Sequence, residues 1–427
     1  MPPSREERPA GAGQTFNGLG IAPGILQALQ KIGFTTPTPI QHQAIPPALQ
    51  GKDVVGVAQT GTGKTLAFGI PMLERLAQSG GGGQGLILLP TRELAVQVND
   101  ELQKIGRAFA LRTAVLIGGV SLSPQIKALR SSPQIVIATP GRLLDHIEQK
   151  TLSLARVGIV VFDEADRMLD MGFWPQIKQI IALLPKERQT LLFSATLPKE
   201  IMEIALRHMR LPTRIEVAPP GTTADRVSQE FFIVKREDKL RLLEKVLGEH
   251  AGSVLVFSRT KHGARRIATS VRAFGHASAE IHSNRSQNQR QEALSGFKTG
   301  KYRVLVATDI AARGIDVKGI ELVVNFDLPS QSEDYVHRIG RTARAGGEGH
   351  AISFAMPGEE REIRNIERLI RKAIPVARLP ELPPRRATPP APYEPPQSAR
   401  RPYPPPRHGD RRFSGKEHFR SRPRFGR

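Results

Sequence analysis

Cysteine is absent from all 427 residues, which rules out disulfides, thiolate zinc ligands and cysteine nucleophiles together. A reducing compartment is compatible with that absence. Long apolar runs are missing as well: no stretch approaches the ~18 residues a membrane helix needs. The opening residues MPPSREERPAGAGQ carry no apolar signal core, so a cytoplasmic location is expected. The eleven histidines show no HxxxH or comparable ligand spacing, and no zinc site is expected. Acidic residues are few beside basic ones, 40 against 62, leaving a formal charge of +22. Such a surface attracts polyanions without reading sequence, which favours a nucleic-acid partner over the alternative of an unusually basic enzyme with anionic substrates.

The length suits two or three domains. Short β-branched runs recur between helical patterns at Val54–Val57, Leu86–Leu89, Ala114–Ile117, Ile135–Ala138, Ile159–Phe162 and Leu191–Phe193. Runs of this kind read as strands buried on both faces, hence a parallel sheet flanked by helices. The pattern breaks near 213–228, with the turn signal Pro219-Pro220-Gly221, and restarts at Phe231–Val234, Val254–Phe257, Val304–Ala307, Leu322–Val324 and Ile352–Phe354. The expected division is a flexible terminus at 1–13, a first α/β domain at 14–215, a linker at 216–228, a second α/β domain at 229–374 and a tail at 375–427. That tail holds 14 prolines and 13 Lys/Arg against 4 Asp/Glu, a composition that cannot bury enough apolar surface to fold alone. Tyr393, Tyr403, Phe413, Phe419 and Phe425 alternate with arginines there, as in segments that hold single strands by stacking and charge, with a solubilising role as the alternative.

Chemistry enters at Ala58-Gln59-Thr60-Gly61-Thr62-Gly63-Lys64-Thr65, where glycines let backbone N–H groups wrap phosphates, Lys64 neutralises them and the Thr65 hydroxyl can reach a magnesium ion. Ninety-nine positions after Lys64 an apolar run ends in Asp163-Glu164-Ala165-Asp166. Asp163 can hold the ion, partly through water, and Glu164 can orient or deprotonate an attacking water. Other polar motifs also follow predicted strands: Pro90-Thr91-Arg92-Glu93-Leu94, Thr139-Pro140-Gly141-Arg142, Ser194-Ala195-Thr196, Ser258-Arg259-Thr260 and Thr308-Asp309. In open α/β sheets ligands bind beyond the carboxyl ends of strands, so these motifs should line one rim. The second half has no phosphate loop of its own, and one ATP site shared between lobes fits best.

Taken in order, Gly33-Phe34-Thr35-Thr36-Pro37-Thr38-Pro39-Ile40-Gln41, the Ala58 loop and the motifs PTREL, TPGR, DEAD and SAT resemble the first lobe of a DEAD-box RNA helicase. Alanine at the first loop position, a departure from the strict phosphate-loop pattern, is usual in that family. His282-Ser283-Asn284 with Gln287 and Arg290, Ala307 to Asp316, and His337-Arg338-Ile339-Gly340-Arg341-Thr342-Ala343-Arg344 resemble its second lobe. The resemblance covers about residues 14–374, and the wording IHSNRSQNQRQEAL and ATDIAARGIDV looks most like the bacterial RhlE-type subgroup.

The resemblance implies two tandem RecA-like domains, each a mostly parallel sheet flanked by helices, followed by a disordered basic tail. It implies an ATP- and Mg2+-dependent enzyme that couples RNA-stimulated hydrolysis to local, sequence-independent unwinding, open without ligand and closing on ATP plus RNA. Lys64, Glu164, Arg341 and Arg344 are then catalytic, with the two arginines reaching the γ-phosphate. Phe34, Gln41, the segment Ala58, Gln59, Thr60, Gly61, Thr62, Gly63, Lys64 and Thr65, with Asp163 and Asp316, would bind nucleotide; Gln41 carries the donor and acceptor needed to read adenine. Phe34 offers a stacking face that Phe16 would support, and either could instead be core. Thr65 and Asp163 would hold the metal. Arg92, Gly119, Thr139, Arg142, Arg259, Thr308 and Arg313 would bind RNA phosphates, while Ser194, Thr196, Asp166 and His337 would couple hydrolysis to strand separation. Trp174 reads as packing at the lobe surface. Two rivals remain at this stage, an ATP-gated RNA clamp without unwinding and a DNA translocase, the latter distinguishable by its indifference to the 2′-hydroxyl.

Overall fold

The computed structural model describes residues 15–58, 61–80, 82–217, 227–312, 317, 319–342 and 349–384. Two parallel seven-stranded sheets organise them. The first contains β1 (Val54–Val57), β2 (Gln84–Leu88), β3 (Thr113–Leu116), β4 (Ile135–Ala138), β5 (Val157–Phe162), β6 (Gln189–Ser194) and β7 (Thr213–Glu216), in the order β3-β4-β2-β5-β6-β1-β7. The second contains β8 (Val227–Ile233), β9 (Val254–Phe257), β10 (Ser278–Ile281), β11 (Val304–Ala307), β12 (Leu322–Asn325), β13 (Gly349–Ala355) and β14 (Val376–Ala377), in the order β10-β11-β9-β12-β13-β8-β14.

Burial explains the strand sequences. Each of β1, β4, β6, β9, β11 and β12 is buried at every position, because helices cover both faces of its sheet. The edge strand β3 alternates between half-buried and buried residues instead. Two separate apolar layers lie on the faces of each sheet, one of the first pair built around Phe68 and Phe193 with ring centroids 5.6 Å apart, and one of the second around Phe231 and Tyr335 at 6.2 Å.

Three strands escape the sequence reading, each for a physical reason. β7 and β14 are short edge strands whose hydrogen bonds come from one neighbour, so neither needs an apolar run. β10 reads Ser-Ala-Glu-Ile, and its polar members are buried only because they have partners: Ser278 Oγ donates to Ala268 O at 2.9 Å and Glu280 pairs with Arg285. With β14 in place, the second lobe extends beyond residue 374, where the tail was expected to start. Arg241 fastens this extension by donating from Nε to Pro383 O at 2.6 Å and from Nη2 to Leu382 O at 3.3 Å.

The strand order sorts the polar loops. β3, β4 and β2 lie side by side, so the loops after them bring Gly119, Thr139 and Arg92 to one half of the first lobe's rim. β5, β6 and β1 form the other half and carry Asp163 and Glu164, Ser194 and Thr196, and the phosphate loop.

Candidate nucleotide and RNA site

The helix Lys64–Gln78 starts directly after Gly63, whose φ of +91° belongs to the left-handed region. A Cβ there would stand 2.4 Å from Gln41 Nε2, so conformation and space both demand glycine. Gly61 also has a positive φ, +88°, and such alternation turns backbone N–H groups toward one concavity. Gln41 is 2% exposed; its Oε1 accepts from Thr38 N at 2.8 Å and its Nε2 donates to Gly63 O at 3.0 Å. Gln41 therefore also braces the phosphate loop, a role the sequence did not show, and keeps one N–H and one lone pair beyond these two bonds. Phe34 is 37% exposed and free to stack, whereas Phe16 is core.

Lys64 is buried, its Nζ 3.5 Å from Asp163 Oδ1 and without a hydrogen bond to any described residue. Burial raises the Asp163 carboxyl to about 6 against the opposing pull of Lys64. A buried ammonium lacking a hydrogen bond and a carboxylate destabilised by dehydration both gain from a polyanion with its divalent cation. Among the described residues no three His, Cys, Asp or Glu side chains cluster as a metal cage. One carboxylate, Asp163, facing Lys64, with the half-buried Thr65 next in the chain, suits Mg2+, which keeps waters and takes its other ligands from phosphates. The donor set therefore fits a magnesium-bound triphosphate.

Glu164 holds φ +53° and ψ +49°, a left-handed conformation that costs a non-glycine residue about 1–2 kcal/mol. Its carboxylate accepts from Arg167 Nη1 at 2.6 Å. Burial alone would raise the carboxyl, but Arg167, Lys64 and Arg341 outweigh it and hold the group down at about 2, so Glu164 is ionised at neutral pH. Arg167 drew no attention in the sequence; its only signal was the helical i,i+3 spacing from Glu164.

Asp166 ties the β5 loop to the β6 loop. Its Oδ2 accepts from Ala195 N at 3.1 Å, Thr196 N at 2.8 Å and Thr196 Oγ1 at 3.0 Å, while its own N–H donates to Ser194 Oγ at 3.1 Å. The structure thus brings together three of the four expected coupling residues within the first lobe. The fourth, His337, reaches them from the second lobe's helix Ser332–Ile339. Burial, then Arg167, lowers its imidazole to about 4 despite the opposing charge of Asp166. Arg341 is buried beside it, donates from Nε to His337 O at 3.2 Å and acts electrostatically on Glu164. Behind both, Arg338 grips Asp309 through two hydrogen bonds of 2.5 and 2.8 Å and lies over the Phe257 ring at 5.0 Å. That pair joins two second-lobe motifs that the sequence showed only as neighbours in a list.

On the other half of the rim, Arg92 opens the helix Arg92–Gly106 and packs against Gly119, whose φ is +74° and where a Cβ would meet Arg92 Nη1 at 1.9 Å. Arg142 donates from Nη1 to Val120 O at 3.1 Å and from Nε to Asp145 at 3.1 Å. Thr139 stands at the N-terminal flank of the helix Pro140–Glu148 in extended conformation, without a side-chain capping bond. From the second lobe, Arg259 donates from Nη2 to Leu328 O at 3.1 Å and remains substantially exposed, and Thr308 N donates to Ile281 O at 3.3 Å. A cross-lobe pair unforeseen in the sequence closes this side: Arg290 Nε lies 2.8 Å from Glu93 Oε1, both side chains being buried. Gln59, Thr60, Arg313, Asp316, Arg344 and the five tail aromatics lie outside the described residues.

These lobes and their loops define a two-lobe P-loop enzyme of helicase type. Residues 38–204 match the DEAD/DEAH box helicase family and residues 238–346 the helicase conserved C-terminal domain. The chain is 45% identical over 359 residues to the DEAD-box ATP-dependent RNA helicase CshA of Bacillus cereus, covering 84% of this chain and 68% of that one. The CshA helicase of Listeria monocytogenes is 44% identical over 358 residues, covering 84% and 69%. Among solved structures, S. cerevisiae Dbp5 bound to RNA and ADP BeF3 is similar at 30% identity and a TM-score of 0.77, covering 85% of this chain and 95% of that chain. Mss116p bound to single-stranded RNA and AMP-PNP is similar at 28% identity and a TM-score of 0.78, covering 86% and 80%. The chain belongs to the DEAD-box ATP-dependent RNA helicase family. No helix among the described residues is long and apolar enough to cross a membrane.

Proposed function

We propose that this helicase uses one composite site, in which the first lobe holds ATP and the second completes hydrolysis when RNA draws the lobes together. The observation that carries this reading is the approach of His337 and Arg341 to Glu164 and Asp166 from the opposite lobe. Lys64 and the N–H groups around Gly61 and Gly63 bind the phosphates, Thr65 and Asp163 hold Mg2+, and Phe34 and Gln41 receive the base. The metal would neutralise phosphate charge. Glu164, ionised and held by Arg167, orients the attacking water, and Arg341, joined by Arg344, stabilises charge on the γ-phosphate. Asp316 contacts the ribose.

Arg92, Gly119, Thr139, Arg142, Arg259, Thr308 and Arg313 bind RNA through its phosphates, which predicts binding without base reading. One strand is gripped in a form that a duplex cannot keep, and its partner is released. Ser194, Thr196 and Asp166 transmit this to the nucleotide because they share one hydrogen-bond network. The wording of residues 281–294 and 307–317 supports a RhlE-type assignment within the family, the lack of cysteine supports a cytoplasmic location, and the tail at 385–427 adds a basic arm for RNA. ATP turnover measured without nucleic acid, with single-stranded RNA and with matched DNA tests the proposal. Stimulation by RNA alone is expected; equal turnover in all three would refute the RNA-completed site.

A further inference from the structure

His146 is completely buried in the helix Pro140–Glu148, and nothing in the hydrolysis scheme uses it. Its Nδ1 is 2.8 Å from Thr151 Oγ1 and its Nε2 is 3.4 Å from Gln125 Oε1. Gln125, itself 6% exposed, has no freedom to turn: Nε2 donates to Ile117 O at 3.1 Å and to Ser121 O at 3.0 Å, while Oε1 accepts from Ile117 N at 3.1 Å. With both amide protons committed, Gln125 presents only an acceptor to the imidazole. The single Thr151 hydroxyl proton can go to Nδ1 or to His146 O, 2.9 Å away, but Thr151 N already donates to that carbonyl at 2.9 Å; a neutral ring therefore satisfies every group when Nε2–H donates to Gln125 and Nδ1 accepts from the Thr151 hydroxyl. Burial, with Arg142 nearby, lowers the imidazole pKa and so favours that neutral ring.

The segment clasped by Gln125 is the one that carries Gly119. It is gripped a second time by Arg142, through Val120 O, and a third time by the packing of Arg92 on Gly119. His146 and Arg142 stand four residues apart on the same helix, so one helical face holds the loop at both ends. We propose that the His146–Gln125 relay is a positioning device that locks the Ile117–Ser121 loop to the Thr139–Arg142 helix start, fixing the spacing at which the two segments meet successive RNA phosphates.

The proposal rests on the RNA reading of this rim, and the test separates the two. In the full-length protein, the concentration of single-stranded poly(U) RNA giving half-maximal ATP turnover is measured for His146→Leu, His146→Gln and Arg92→Ala, with thermal melting as a folding check. Leucine fills the space without the donor, and glutamine Nε2 can replace imidazole Nε2. His146→Leu is expected to raise the half-maximal RNA concentration about tenfold, the size of one lost buried hydrogen bond, with turnover at saturating RNA retained and with His146→Gln restoring the wild-type value. An unchanged value for His146→Leu while Arg92→Ala raises it overturns the relay; an unchanged value for both overturns the RNA reading instead. Should His146→Leu fail to fold, Thr151→Val decides, with a smaller rise in the same direction expected and no rise counting against the relay.

Discussion

Separating Glu93 from Arg290 should act on lobe closure alone. The two belong to different lobes, stand 2.8 Å apart and are only 4% and 7% exposed. Breaking a buried ion pair by removing one partner costs about 3–5 kcal/mol, because the survivor is left charged and dry. Here neither Glu93 oxygen nor Arg290 Nε has a well-aligned hydrogen bond, which points to the lower end. The penalty falls on the closed form, since opening returns both faces to water. A cost of about 3 kcal/mol corresponds to a loss of about 10²-fold in the closing equilibrium. Glu93→Gln and Arg290→Met should each reduce RNA-stimulated turnover by that order with ATP affinity little changed, whereas the double variant should recover much of the loss. Lobe separation can be followed by energy transfer between two introduced cysteines, because the chain has none to compete for label. Additive losses, within about 0.5 kcal/mol, would show that the pair is not coupled and would refute the latch.

Acid should oppose closure through His337. Its imidazole falls to about 4 in the closed lobes, so the open form binds more protons below the ordinary value near 6.5, and closure gains stability as pH rises. With ATP and Mg2+ saturating, so that the metal keeps Asp163 ionised, RNA-stimulated turnover should drop about tenfold between pH 7.5 and 5.5, and His337→Gln should flatten that slope. A steep slope that survives in His337→Gln would assign the effect elsewhere. Lys64→Ala should abolish ATP binding in a filter or calorimetric assay; Glu164→Gln should retain binding, stall turnover and trap RNA, and normal turnover in it would remove Glu164 from its role. Deleting residues 385–427 removes 12 Lys/Arg and should reduce the salt dependence of RNA affinity without changing the melting temperature. Deleting from 375 instead also strips β14 and the Arg241 clamp, so that protein should melt lower, and equal melting would show that the strap contributes nothing.

Buried strands were legible in the sequence because a strand covered on both faces has to be apolar, and Val54–Val57, Ile135–Ala138, Val254–Phe257 and Val304–Ala307 stand where the runs predict. The phosphate loop and the acidic motif could be read from local chemistry, since glycine conformation and charge spacing along the chain suggest a phosphate cradle, whereas the arginine motif was read only through the family resemblance. The edge strand Ser278–Ile281 was not, since its polar residues are buried only once the preceding helix and the following turn supply Ala268 O and Arg285 as partners, a pairing that no apolar run announces. Gln41 was half legible. Its amide chemistry was visible, but its attachment to Gly63 depends on two segments that meet only after folding.

By itself, then, the sequence determined the two α/β halves, the nucleotide chemistry and the attraction to polyanions, all properties of residue type and short-range order. Only the tertiary structure decided which motifs share a place. The order β3-β4-β2-β5-β6-β1 parts the proposed RNA loops from the nucleotide loops, Asp166 joins the loops after β5 and β6, and Arg290, His337 and Arg341 cross to the first lobe. Those relations depend on strand permutation and lobe packing, and no one-dimensional spacing encodes them, because residues about 30 positions apart, as with Asp166 and Thr196, or almost two hundred apart, as with Glu93 and Arg290, become neighbours through the burial of sheets and helices that lie between them.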